Sequence, residues 1–197
     1  MTFEAIARRL GVTKQAIIYW YPSKEGLSRA LVMEDLSQEA DTLVAAVAEA
    51  QCAAQAIERF VVACVDRHRR HLAAFRLSYL LAQLTEHPER LMPVEAREAF
   101  VYPVTGRYYS ALEDKIRADS DRNPALEPRT LAVAVHSAAI GIACMASLME
   151  AMKDSMKGGI DAIVTTLIKA LAEGVSAPKP TTVRSRRRRQ VRKGGDR

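Results

Sequence analysis

The sequence predicts an all-α fold, and three observations carry that prediction. Glycine and proline are scarce (9 and 8 residues of 197), while the helix formers Ala, Leu, Glu and Arg dominate. Apolar residues recur at spacings of three and four, with Ser or Thr ahead of the recurrent segments and Gly or Pro behind them. No run alternates apolar and polar residues in the manner of a strand, and no internal repeat is evident. At 49% apolar, the chain has enough material to bury one sizeable core.

The elements follow in order. Thr2 is placed to cap a first helix over residues 3–9, with Ile6 and Leu10 facing one way, and Gly11 ends it. Thr13 caps a second helix over 14–20. Pro22 stops that helix, and Ser23 caps a third. In the third, Leu27, Ala30, Leu31, Ala40, Leu43, Val44 and Val47 keep helical spacing to residue 48. Beyond Gln51, "AAQAIERFVVACVDRHRRHLAAFRLSYLLAQL" reads as one long or two consecutive helices. Pro88 and Pro93 bracket a break. A helix follows over Val94 to Ala118, despite Pro103 and Gly106, and Asn123-Pro124 marks a loop. Another helix runs from Glu127 to Met152, Gly158-Gly159 makes a turn, and a last helix covers Ile160 to Glu173. From Pro178 on, Pro, Thr, Ser and Arg residues read as disordered.

The net charge of +6 is unevenly placed. Thr181 to Arg197 holds eight Lys/Arg and one acid, whereas the first 180 residues hold 21 basic and 22 acidic residues. Cys52, Cys64 and Cys144 are odd in number and widely spaced, with no CxxC. They read as reduced thiols of a cytoplasmic protein rather than a disulfide framework or a zinc site. The N-terminus lacks the basic-then-apolar pattern of a signal peptide. Residues 131–149, "LAVAVHSAAIGIACMASLM", are uncharged but alanine-rich and interrupted by His136, Ser137 and Ser147. They predict a helix buried on most sides in a helical core, not a membrane span.

Residues 8–27, "RRLGVTKQAIIYWYPSKEGL", carry the functional signal. Two short helices joined by a tight glycine turn make a helix-turn-helix. Small Ala7 permits close packing, and Ile6, Leu10, Val12 and Ile17 supply the apolar positions that hold the crossed helices. On the second helix, Ile17, Trp20 and Tyr21 share one face and are expected inward. Thr13, Lys14, Gln15, Ala16, Ile18 and Tyr19 are left on the other sides, a set suited to phosphates, sugars and base edges.

The stretch closely resembles the DNA-binding region of the tetracycline-repressor (TetR) family. The resemblance rests on Ile6-Ala7, Leu10-Gly11-Val12, Thr13-Lys14, Tyr19-Trp20-Tyr21 and Pro22-Ser23-Lys24-Glu25-Gly26-Leu27. The rest of the chain matches as an all-helical body of suitable length. What the resemblance implies is an N-terminal helix-turn-helix region with its connecting helix over 1–47, a helical effector-binding and dimerisation domain over 48–176, and a basic tail over 177–197. Residues 14–20 would be the recognition helix in the major groove. Thr13, Lys14, Gln15, Ala16, Ile18 and Tyr19 would face double-stranded DNA, with Thr2 and Lys24 on phosphates. Gln15 has the donor-acceptor pair that suits adenine, Lys14 suits guanine or phosphate, and Ala16 can touch a thymine methyl. Lys24 opens a helix, where amides and an ammonium favour a phosphate together. In the family a further helix precedes the position of Thr2 and packs on Ile6, Trp20 and Leu27, so the true start is expected upstream of Met1.

The resemblance also implies an effector pocket among the central helices. By position its candidates are His71, Phe75, Tyr79, Tyr102, Tyr109, His136 and Met145, which mix apolar bulk with polar tips. The last two helices are expected to form a two-fold interface through Leu131, Val135, Ala138, Ala139 and Ile142 on one and Ile163 and Leu167 on the other. No HExxH, GxSxG, phosphate-binding glycine loop or paired-Cys spacing occurs, so no catalytic residue, metal or cofactor is expected. His68 and His71 lie three apart, but "DRHRRH" is a strongly basic setting that disfavours a cation. The expected protein is a ligand-responsive homodimeric transcription regulator, a repressor released from its operator by a small molecule, and not an enzyme. The alternative is a helical nucleic-acid-binding or interaction protein whose "RSRRRRQVRK" tail binds without sequence preference.

Overall fold

The structure, a computed structural model, describes residues 2–84, 86–154 and 159–176. The Gly158 half of the expected turn and the 177–197 tail lie outside the described residues. The described residues are helical almost throughout and form no strand.

Three short-range caps set the N-terminal elements. α1 (Phe3–Leu10), α2 (Lys14–Trp20) and α3 (Lys24–Ala48) each begin at a hydroxyl. Thr2 Oγ1 accepts from Ala5 N (3.2 Å), Thr13 Oγ1 from Ala16 N (3.1 Å) and Ser23 Oγ from Gly26 N (3.0 Å). Each such cap satisfies a helix-end amide that otherwise has no partner. Gly11 ends α1 with φ 68°, a left-handed conformation that glycine adopts without a Cβ clash.

The body is held by clasps from distant residues. α4 (Ala53–Arg70) starts at Cys52, whose side chain caps nothing. The Ala53 amide instead donates to Asp119 Oδ2 at 2.7 Å. Lys115 Nζ donates to the carbonyls of Ala48 (2.7 Å) and Ala50 (2.8 Å), just past the end of α3. The end of α9 (Tyr102–Ala118) thus fastens the α3–α4 corner from both sides. α10 (Pro128–Met152) is capped by Glu127, which accepts from Arg129 N (3.0 Å) and Thr130 N (2.6 Å). α11 (Ile160–Val175) is tied back where Asn123 N donates to Val175 O at 2.6 Å.

The stretch after Gln51 is two helices, broken at His71 (φ −122°, ψ 49°). α5 (Leu72–Phe75) leads into a π-helical turn, Arg76–Leu80, and then α6 (Leu81–Leu84). α7 (Pro88–Leu91) and α8 (Val94–Ala96) follow, and a second π-helical turn, Arg97–Val101, joins α8 to α9. Pro103 follows on this turn, and the backbone stays helical through Val101 and Tyr102 into α9.

α4 is the central helix, packed against α3, α9, α10 and α11. Its Ile57, Phe60, Val61 and Cys64 are fully buried against Leu43 and Val47 of α3, Leu112 and Ile116 of α9, Val135 and Ala139 of α10, and Ile160 of α11. Ala53 and Ala56, also fully buried, add no bulk and let neighbouring helices approach.

Two expectations need correction. α10 is buried on one side, through Ala132, Val135, His136, Ala139 and Ala143, rather than on most sides. Its other side leaves Val133, Met145, Leu148 and Met152 exposed, because α4, α9 and α11 all pack on the first side. α10 is long and apolar enough to cross a membrane, although this one-sided packing is also what the core helix of a helical body shows. The second correction concerns α1 and α2. They meet through Ala7 and Ile17, both buried, whereas Leu10 is 66% and Trp20 74% exposed, and Val12 is exposed too. These side chains line an open groove of about 250 Å³ with Ile6, Ala16, Tyr21 and Leu27. Two helices this short cross at one point, so the residues flanking the crossing stay outside the contact.

Asp119→Ala tests the clasp. Loss of an acceptor for a helix-start amide is expected to lower the unfolding free energy by about 1–2 kcal/mol. The reading is a lower urea midpoint at unchanged slope. An unchanged midpoint would show that the Ala53–Asp119 contact contributes nothing.

Candidate functional site

The first candidate site is the surface of α2 and its flanks. Thr2, Thr13, Lys14, Gln15, Ala16, Ile18, Tyr19 and Lys24 are all solvent-exposed. Tyr19 stands edge-on to Trp20 with ring centroids 5.3 Å apart. Trp20 and Tyr21, expected inward, are both exposed and extend this aromatic surface. The local charge is positive: Arg8, Arg9, Lys14, Lys24 and Arg29 against Glu4 and Glu25 over residues 2–29. Not all of it is free. Lys14 Nζ pairs with Glu4 of α1, and that hydrogen bond holds the Glu4 carboxyl below the usual carboxylate range. Arg29 Nε donates to Leu91 O at 3.3 Å, fastening α3 to α7. Gln15, Lys24, Arg8 and Arg9 are exposed and project from the surface.

The second candidate site lies inside the body, around a carboxylate. Glu39 of α3 is fully buried. Tyr79 Oη donates to its carboxylate at 2.7 Å from Oε2 and 2.9 Å from Oε1. His68 Nε2 is 3.1 Å from Oε1 and His136 Nε2 is 3.5 Å from it. Tyr109 Oη sits 2.7 Å from His136 Nδ1, and Arg129 stacks over the Tyr109 ring at 5.0 Å. Burial raises the Glu39 pKa, but the imidazoles of His136 and His68 outweigh it and hold the carboxyl at about 2. Burial and the Glu39 charge push the Tyr79 phenol and the Cys64 thiol upward. Beside this centre, Arg67 bridges to Asp35 (2.5 Å), which also accepts from Ser78 Oγ (2.6 Å).

Four of the seven effector candidates converge here: Phe75, Tyr79, Tyr109 and His136. His71 is exposed at the α4–α5 break, and Tyr102 and Met145 are exposed on α9 and α10, so none of these three lines the centre. Glu39 and His68 were missed as site residues. A signal existed for Glu39, which shares an inward α3 face with Leu36, Ala40 and Leu43. A separate apolar cleft of about 590 Å³ opens nearby. It lies between the Arg76–Leu80 turn and α10, lined by Leu77, Leu80, Cys144, Leu148 and Ala151. Arg76 Nε donates to Ser147 Oγ at its edge (3.0 Å).

The expected two-fold face also needs correction. Val135, Ala139 and Ile142 are buried in the core of their own chain and have no surface left for a partner. Leu131 and Leu167 pack partly against that core, and Ala138 is half-buried. Ile163 is exposed. The apolar surface that α10 does present is the stripe Val133, Gly141, Met145, Leu148 and Met152.

The lowered Glu39 carboxyl stabilises the fold above its ordinary value of 4.5, and that contribution is lost as the pH falls from 4.5 to about 2. Glu39→Gln is therefore expected to flatten the fall in unfolding free energy across that window. Identical pH slopes for parent and variant would remove Glu39 from the acid response.

No family model and no curated protein sequence matches the chain. Solved structures are similar. A bacterial regulatory protein in the tetR family from Rhodococcus RHA1 has a TM-score of 0.65 at 17% identity, covering 91% of this chain and 88% of its own. A protein of unknown function from Rhodococcus sp. RHA1 has a TM-score of 0.66 at 19% identity, covering 89% of this chain and 85% of its own. The chain therefore has the all-helical fold of a tetR-family regulatory protein, with a short helix-turn-helix standing on a larger helical body.

Proposed function

We propose that the chain is a homodimeric transcription regulator of the TetR family, a repressor that leaves its DNA operator when a small molecule binds the helical body. The observation that carries this reading is α2: seven residues, capped by Thr13, with its whole outward side in solvent. A helix presented this way fits the major groove, where side chains can reach base edges. α3 supports the coupling. It starts at Lys24 beside α2 and carries Asp35 and Glu39 into the body, so one rigid element touches both candidate sites. The 590 Å³ apolar cleft has the size and lining of a small-molecule site, with Arg76 as its charged edge.

One helix of this length reads too few base pairs, which favours a two-fold assembly. The exposed α10 stripe and Ile163 of α11 are the surfaces we assign to it, two helices from each subunit forming a bundle. Such a regulator works in the cytoplasm, where its three cysteines stay reduced.

Selection of bound sequences from a random DNA pool tests the reading. The expected result is a near-palindrome with half-sites about one helical turn or more apart. Binding with no enriched sequence and a steep salt dependence would contradict it and favour a non-specific electrostatic binder.

Two sets of variants extend the test. Gln15→Ala is expected to weaken the selected site by about 1–3 kcal/mol and relax one base position, whereas Lys24→Ala weakens all sequences alike and lowers the salt slope by about one. Gly141→Glu places a charge on open surface of α10, where a new Cβ meets nothing within 4 Å. Sedimentation is expected to show a folded monomer. A dimer that survives Gly141→Glu and Met145→Glu places the interface elsewhere.

A further inference from the structure

Four side chains with metal-binding atoms meet in the core of the body: Glu39 of α3, Cys64 and His68 of α4, and His136 of α10. Each is 5% exposed or less. Cys64 and His68 lie four residues apart and so share one face of α4. The ligating atoms of Glu39, Cys64 and His136 all lie within 4.8 Å of one another. His68 Nε2 and His136 Nε2 stand 3.1 and 3.5 Å from Glu39 Oε1. Donors bonded to one tetrahedral ion at ~2.0–2.3 Å lie roughly 3.3–3.8 Å apart. Glu39, Cys64 and His136 therefore form the compact part of the set, His68 joins it through its contact with Glu39, and side-chain shifts from separations of up to 4.8 Å close the shell.

Two features point to a cation site rather than to a closed hydrogen-bond network. His136 Nε2 is buried, has no hydrogen-bond partner and is turned toward the carboxylate. Buried nitrogens are rarely left this way. Second, the Glu39 carboxylate is sealed from water, and Tyr79, His68 and His136, the described side chains against its oxygens, carry no permanent positive charge. A divalent ion bound to one carboxylate, one thiolate and two neutral imidazoles leaves the centre neutral.

The surroundings are already those of a ligand set. Tyr109 Oη holds His136 Nδ1 at 2.7 Å, which orients the ring with Nε2 inward, and Tyr79 Oη holds the carboxylate. Tyr79 reaches it from the π-helical turn Arg76–Leu80, a local distortion of the kind that gathers at functional positions. The basic run around His68 does not oppose a cation. Arg67 pairs with Asp35, Arg69 with Asp161 and Arg70 with Asp66.

We propose that Glu39, Cys64, His68 and His136 bind one zinc-class divalent transition-metal ion in the core of the helical body. The mixed sulfur, nitrogen and oxygen set suits Zn2+ or Co2+ and not Mg2+ or Ca2+, which take oxygen. On binding, the thiol releases its proton to solvent and His136 keeps one on Nδ1, donated to Tyr109. The proposal is independent of DNA binding.

Cobalt replacement tests it. The full chain is stripped with chelator and titrated with Co2+. The expected result is one equivalent per chain, the intense visible bands of four-coordinate cobalt and a near-ultraviolet thiolate-to-cobalt band, all displaced by Zn2+. Cys64→Ser is expected to lose the thiolate band, while Cys144→Ser and Cys52→Ser keep it. Tyr109→Phe is expected to weaken Co2+ binding about 10–100-fold, the effect of removing a partner that orients a ligand. Zn2+ also raises the melting temperature of the parent chain, since an ion that binds only the folded state stabilises it. A parent chain that shows no thiolate band and no zinc-dependent rise in melting temperature overturns the proposal. So does a thiolate band that persists in Cys64→Ser.

Discussion

A carboxylate sealed inside five packed helices is the constraint around which the body is arranged. Glu39 has no water to solvate it, so donors must be supplied by the protein. They come from α4 (His68) and the π-helical turn (Tyr79), and His136 of α10 faces the same carboxylate at 3.5 Å. Each donor fixes the rotation of its own element about the helix axis, because an imidazole or phenol turned away leaves the charge unpaired. The apolar packing of Leu43, Phe60, Leu112 and Val135 supplies most of the cohesion, but it tolerates small slides between helices. The polar centre does not, and so it selects one arrangement.

The same constraint gives α3 its place in the proposed mechanism. α3 is 25 residues long, begins beside α2 and passes through the polar centre. Arg29 ties its first turns to Leu91, and Asp35 ties its middle to Arg67 and Ser78. A change in how the body meets Asp35 or Glu39 must therefore move or strain an element that carries the helix-turn-helix. Coupling of about 1–3 kcal/mol is enough to change an affinity severalfold to a hundredfold, and rearranging one hydrogen bond to a buried charge is worth about that much.

What was legible in the sequence was local. Thr2, Thr13 and Ser23 cap the helices they precede because the cap needs only a hydroxyl and an amide three residues on, and Gly11 ends α1 because only its own backbone must turn. The exposure of Lys14, Gln15, Ala16, Ile18 and Tyr19 could be read from the same local pattern. What was not legible depended on which neighbour each face meets. Trp20 falls on the same helical side as Ile17, yet only Ile17 reaches the crossing with α1. α10 is apolar all round, so its sequence does not tell the side that packs on α4 from the side left open. Val135, Ala139 and Ile142 accordingly turned out to belong to the core of their own chain. The polar centre draws residues 39, 68, 79 and 136 from separate helices, and no short spacing announces it.

The proposed function depends on the outward side of α2 as the surface that reads DNA. Amide hydrogen exchange across the whole chain, with and without the DNA site recovered by selection, tests it most directly. Slowed exchange is expected to be concentrated in residues 13 to 24, covering α2 and the start of α3, with unrelated DNA of equal length giving little protection there. Protection confined to other segments, with residues 13 to 24 exchanging at the rate of the free protein, would contradict it.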